Sequence, residues 1–166
     1  STALHSLDPQ TWLVGTEAGL FVAHERGDHW APTAVSGTAV RALLSTDAGL
    51  LAGTDAGDIW QSANGRDWTH HSRIDRAPGI LSLADGKNGC LLAGSTRGVI
   101  VFDGAWHATG PVLPMAAIAM DDRWPSTWVA GAAPGGLWWT TDGDNWQQVA
   151  NTPKAIRHLL PPELSQ

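Results

Sequence analysis

The chain has 166 residues, 43% of them apolar and 16% charged, which fits a folded domain with a real core and excludes a disordered segment. Its formal net charge is −6, and its ten Lys and Arg residues are scattered, so the concentrated cationic face needed for nucleic acid or an anionic membrane is absent. A single cysteine, Cys90, rules out an internal disulfide framework or a Cys-based metal site, and no stretch approaches the ~18 apolar residues of a membrane-spanning helix.

In chain order, the first apolar piece is Ala3-Leu4-His5-Ser6-Leu7, followed by Trp12-Leu13-Val14 and the turn Gly15-Thr16-Glu17-Ala18-Gly19. Leu20-Phe21-Val22 comes next, then the polar stretch His24-Glu25-Arg26-Gly27-Asp28-His29 and Trp30. The same order then recurs. Val40-Arg41-Ala42-Leu43-Leu44 precedes Leu50-Leu51-Ala52, the turn Gly53-Thr54-Asp55-Ala56-Gly57, Ile59-Trp60-Gln61 and Trp68. Ile80-Leu81-Ser82-Leu83 precedes Leu91-Leu92-Ala93, Gly94-Ser95-Thr96-Arg97-Gly98, Val99-Ile100-Val101-Phe102 and Trp106. Ala117-Ile118-Ala119-Met120 precedes Trp128-Val129-Ala130, Gly131-Ala132-Ala133-Pro134-Gly135, Leu137-Trp138-Trp139 and Trp146. Runs this short between Gly, Asp, Asn and Pro turns predict strands.

A period near 40 residues, with four short strands and one aromatic per unit, predicts an all-β fold: a β-propeller of about four four-stranded blades. The blades are expected at about 3–34, 39–72, 79–109 and 116–150, within one propeller module spanning 1–166. Ala155-Ile156-Arg157-His158-Leu159-Leu160 repeats the second unit's first piece and predicts one extra inner strand, a fifth blade's first, at 155–160. The glycines are expected to supply the positive φ of tight turns. The repeat tryptophans Trp30, Trp68, Trp106 and Trp146 are expected to pack between neighbouring blades. Three ring arrangements follow: a closed four-bladed ring, two chains completing a larger ring, or a piece of a longer propeller. The chain starts at Ser1, which suggests a processed product or part of a longer chain.

Between the third and fourth strands stand Ser62-Ala63-Asn64-Gly65-Arg66-Asp67-Trp68 and Thr140-Thr141-Asp142-Gly143-Asp144-Asn145-Trp146. The first unit carries a looser copy ending at Trp30, and the third a shortened Asp103-Gly104-Ala105-Trp106. An Asp or Asn followed by Gly caps a turn, and the hydroxyl two residues earlier bonds across it. These segments resemble the Asp-box (BNR) repeat: Ser or Thr, any residue, Asp, Gly, then Trp. The chain is thus similar, over about residues 3–160, to a superfamily that includes sialidase- and sortilin-type propellers, xyloglucan-cleaving hydrolases and photosystem II assembly-factor-like propellers.

The resemblance implies that the box residues Ser62, Asn64, Gly65, Trp68, Thr140, Asp142, Gly143 and Trp146 are structural. The family is often secreted or periplasmic, so the resemblance leans toward a periplasmic or extracellular setting; no cofactor is expected. Sialidases of the family use a Tyr nucleophile and an Arg triad; this chain has no Tyr, and only Arg41 and Arg157 hold equivalent inner-strand positions.

Three functions are therefore weighed. A non-catalytic module for protein binding or complex assembly is the first choice, its partner another protein or a second copy of itself. A carbohydrate-binding, lectin-like propeller is the alternative, since tryptophans stack on sugar faces; Trp12, Trp60 and Trp128 remain for that role beside the ligand-face residues named below. A fragment of a glycoside hydrolase would need paired carboxylates. Asp121 and Asp122 are adjacent on a strand and point apart; Asp8, Asp47 and Asp85 hold comparable turns. The candidate ligand-face residues are Asp121, Asp122, Trp124, Trp138 and Trp139. Among the seven His, the His70-His71 pair points to opposite faces, and no metal-ligand spacing recurs, so neither a metal nor a catalytic residue is expected.

Overall fold

A computed structural model describes residues 3–24, 29–76, 78–86, 90–121 and 127–150, together with 156, 157 and 159. All regular structure among the described residues is β. The strands are β1 (Ala3–Asp8), β2 (Thr11–Thr16), β3 (Gly19–His24), β4 (His29–Ser36), β5 (Val40–Thr46), β6 (Gly49–Thr54), β7 (Asp58–Ser62) and β8 (Thr69–Arg73). They continue as β9 (Ile80–Asp85), β10 (Leu91–Ser95), β11 (Gly98–Phe102), β12 (Trp106–Thr109), β13 (Met115–Asp121), β14 (Thr127–Ala132), β15 (Gly136–Thr140) and β16 (Gln147–Gln148). They form four four-stranded sheets, each with its strands in sequence order. The described residues form a β-propeller fold with four blades. Two compact units, Ser1–Ile80 and Leu81–Gln166, hold the first two and the last two blades, β9 starting in the first unit. The expected extra strand at 155–160 lies outside the described residues except for Ile156, Arg157 and Leu159.

Direct cross-strand partners share one side of a sheet, so the register sorts every side chain to a side. In the first blade, Leu13 pairs with Val22 and Gly15 with Leu20, which puts Leu13, Leu20 and Val22 together. In the second, Leu43 pairs with Ala52, and Ala52 with Trp60. These two sets meet in the core of the first unit: Leu7, Leu13, Leu20, Val22 and Val35 pack against Val40, Leu43, Leu50, Ala52, Trp60 and Trp68.

The second unit repeats the arrangement. Leu92, Val99 and Val101 of the third blade pack against Ile118, Ala130, Trp128, Trp138 and Trp146 of the fourth. Each fully buried Leu or Ile here stabilises the unit by about 1.5–3 kcal/mol through removal from water.

The glycine pairs divide their labour in a way the turn argument alone does not foresee. The second of each pair, Gly19, Gly57, Gly98 and Gly135, has a positive φ (140°, 81°, 116° and 137°) and makes the turn, as expected. The first of each pair lies inside a strand and has no positive φ. Its missing Cβ makes room for the start of the following blade's inner strand. A Cβ on Gly15 would stand 2.5 Å from the Val40 carbonyl oxygen. One on Gly94 would press on the Met115 carbonyl oxygen, and one on Gly53 on the Ile80 side chain. On Gly131 the side chain in the way is Ile156, whose N–H also donates to the Ala132 carbonyl at 2.9 Å. Ile156 therefore takes on the fourth blade the seat that Ile80 takes on the second.

Candidate functional site

The two well-matched boxes close by the same hydrogen bonds. The Ser62 hydroxyl accepts from the N–H of Gly65 at 2.8 Å and donates to Asn64 Oδ1 at 3.2 Å. Asn64 Oδ1 in turn accepts from the N–H groups of Arg66 and Asp67 at 2.8 and 2.9 Å. Trp68 Nε1 donates to the Gly65 carbonyl at 2.9 Å. In the fourth blade Thr140 and Asp142 do the same, with Asp142 Oδ1 accepting from Asp144 and Asn145 at 2.9 and 2.8 Å. Trp146 Nε1 donates to the Gly143 carbonyl and to Thr109 Oγ1 of the third blade, both at 3.2 Å. The Thr109 hydroxyl itself donates to the Gly143 carbonyl. The first unit's looser box falls mostly on residues 25–28, outside the described residues.

Asp142 gives a pH test. The Asn145 backbone N–H, helped by the Asn145 side chain, the Asp144 N–H and the Thr140 hydroxyl, holds its carboxyl far below the ordinary value of 3.8. A lowered folded-state pKa contributes stability that is present above the ordinary value and is lost as pH falls below it. The second-blade box already uses an amide, Asn64, at this position. Asp142→Asn is therefore expected to keep the turn and to flatten the loss of stability below pH ~4. Urea unfolding at neutral pH and near pH 3 checks this; a variant whose acid loss equals the wild type's would refute it.

Of the candidate ligand-face residues, the described ones all lie on the fourth blade. Asp122 and Trp124 lie outside the described residues. Asp121 pairs with Thr127 and Trp139 with Val129, which sets both on one side of the fourth blade. Trp138 points to the other side, where it packs on the second unit's core, and its Nε1 donates to the Gly135 carbonyl at 3.0 Å. Among the described residues no three His, Cys, Asp or Glu side chains form a metal-binding group.

Trp30 departs from its expected packing role. Trp68 is 5% exposed and Trp146 packs on the second unit's core, but Trp30 is 52% exposed. It touches Phe21 edge-on, with ring centroids 6.2 Å apart. The physical reason is the side it occupies: Trp30 pairs with Ala23, and Ala23 with Trp12, opposite the side that packs on the second blade. On that same outer side stand Leu4, 61% exposed, and Trp12, 38% exposed. The alternation of β1 and β2 carries a signal for this grouping, but nothing in the local sequence says which side of a sheet meets a neighbour.

The ion pairs among the described residues each have at least one exposed partner. Arg41 Nε donates to both Asp55 carboxylate oxygens at 2.8 and 3.0 Å, and its other arm reaches Glu17 at 3.3 Å. The Asp55 carboxylate holds this guanidinium charged above its ordinary range. His70 meets Asp58 at 2.9 Å and lies edge-on to Trp60. Exposed ion pairs of this kind contribute little to stability.

No family model and no curated protein matches the chain. Solved structures do. The extracellular domain of the hybrid two component system BT3049 from B. thetaiotaomicron aligns with a TM-score of 0.73 at 16% identity, over 95% of this chain and 24% of that one. The computationally designed protein Ika8 aligns with a TM-score of 0.68 at 16% identity, over 98% of this chain and 52% of that one. YCF48 bound to a D1 peptide aligns with a TM-score of 0.64 at 13% identity, over 94% of this chain and 55% of that one. At such identities the likeness concerns the fold. The chain spans between about a quarter and about half of the length of these structures.

Proposed function

We propose that this chain is a non-catalytic Asp-box propeller module that binds a protein or assembles a protein complex through the outer side of its first blade. The observation that carries this reading is the exposure of Leu4, Trp12 and Trp30 together on one side of one sheet. Large apolar side chains grouped on a surface mark interaction sites, and tryptophan is enriched where binding energy concentrates. The box residues serve as turn scaffold, because their polar atoms are spent on one another. The neighbour YCF48, captured with a peptide, supports a protein partner. The extracellular domain among the neighbours supports a periplasmic or extracellular setting.

A carbohydrate-binding reading draws on the same exposed rings of Trp12 and Trp30. Two experiments separate the readings. The wild-type chain and Leu4→Lys are used as baits against the native extract, any protein retained is identified, and the purified protein is rebound. A partner held by the wild type and weakened at least tenfold, ~1.4 kcal/mol, by Leu4→Lys is the expected result. Equal binding by both baits, or no protein retained by a wild-type chain that is itself monomeric, would sink the protein-binding reading. Quenching of tryptophan fluorescence by oligosaccharides would favour the carbohydrate one.

A further inference from the structure

We infer that the outer side of the first blade is covered by the fourth blade of a second copy of this chain. The inference rests on the protein-binding reading and names its partner. Two joints between blades lie inside the units. In the first unit, the second blade presents Leu43, Leu50, Trp60 and Trp68 to the first blade's Leu13, Leu20 and Val22. In the second unit, the fourth blade presents Ile118, Trp128, Trp138 and Trp146 to the third blade's Leu92, Val99 and Val101. The register makes these positions equivalent. Leu4, Trp12, Phe21 and Trp30 of the first blade occupy the places of Leu43, Leu50, Trp60 and Trp68. That set fills a joint twice over, yet on the first blade three of its four members are exposed.

The complementary set recurs too. Val129, Leu137 and Trp139 of the fourth blade hold the register places of Leu13, Leu20 and Val22, and of Leu92, Val99 and Val101. Those six are all buried, whereas Val129, Leu137 and Trp139 are only half-buried. The first blade therefore offers one kind of face and the fourth blade the other, and the two match by the same rule that joins the blades inside each unit. Trp139, a candidate ligand residue from the sequence, becomes a contact to the partner's first blade. Ile156 already fills the inner seat on Gly131, so the incoming first blade leaves that one seat to it and supplies Leu4, Trp12, Phe21 and Trp30 to the joint. Its inner strand β1 has no buried residue along its length, unlike β5, β9 and β13, and can yield that seat.

A contact between two different faces of one chain closes a ring if the rotation permits and otherwise propagates. Light scattering on the full 166-residue chain tests the idea. The expected mass is twice 17.5 kDa, about 35 kDa, rising with concentration. A larger mass would also support the docking, with joints that propagate. Leu4→Lys and Trp139→Lys should each return a 17.5 kDa chain with an unchanged far-ultraviolet spectrum. Mixing the two variants should restore association, since one brings an intact fourth blade and the other an intact first blade.

A wild-type chain that stays monomeric at all concentrations would overturn the inference, as would a Trp139→Lys chain as associated as the wild type. A monomer whose partner protein is still lost in Leu4→Lys would overturn only this inference. A monomer with no such partner would remove the protein-binding reading as well.

Discussion

Trp68→Ala is expected to lower the unfolding free energy by about 3–5 kcal/mol, the range for deleting a large aromatic from a packed core. Trp68 is buried between the two blades of the first unit, touching a core that includes Leu13, Leu20 and Val40. Its indole N–H is bonded to the Gly65 carbonyl, so truncation also leaves that turn oxygen without its donor. For a chain of this size the loss corresponds to a fall in Tm of about 10 °C. Trp30→Ala provides the internal control. It deletes the same residue type from the equivalent repeat position, but from an exposed site, and should cost the isolated chain less than about 1 kcal/mol. An unchanged Tm for Trp68→Ala would show that this box tryptophan does not hold the two blades together.

Gly94→Ala is expected to cost about 1–3 kcal/mol despite adding a single methyl group to a residue with an ordinary strand conformation. The new Cβ would press on the Met115 carbonyl oxygen and on Ser82 Oγ. Ser82 can rotate away, but Met115 is the first residue of β13 and is fully buried, so its backbone cannot retreat without shifting the fourth blade. Gly104→Ala separates this crowding from backbone strain. Gly104 has φ of 111° and nothing within 4 Å of a built Cβ, so its substitution carries conformational cost without a clash. Denaturant melts of both variants decide the matter. If Gly94→Ala unfolds with wild-type stability, the first glycines are not seats for the next blade.

The fold was legible because its signals are local. Turn chemistry at Gly19, Gly57, Gly98 and Gly135, and short apolar runs between the turns, suffice to place strands and to count blades. The box bonds of Asn64 and Asp142 were legible for the same reason, since donor and acceptor lie within three residues of each other. What the sequence hides is the identity of the neighbour. Trp30 and Trp68 stand at the same motif position, yet one is exposed and the other buried, because only one side of the first sheet meets the second. Strand periodicity requires Trp138 and Trp139 to part, but it does not reveal that Trp138 is the one against the third blade's apolar set. The first glycines mislead most: a Gly inside a strand looks like part of the turn two residues on, and its true contact lies in the following repeat.

That last contact gives the repeats a direction. Each first glycine accommodates the blade that follows it, and each buried box tryptophan closes the joint with the blade before. The repeat defined by these contacts is therefore offset from the visible sheet: it runs from one strand glycine, across the connecting loop, to the next strand glycine. Gene duplication or deletion in steps of one such span would preserve every seat and its occupant together, whereas an event cut at the borders of a sheet would combine a glycine from one ancestor with an inner strand from another.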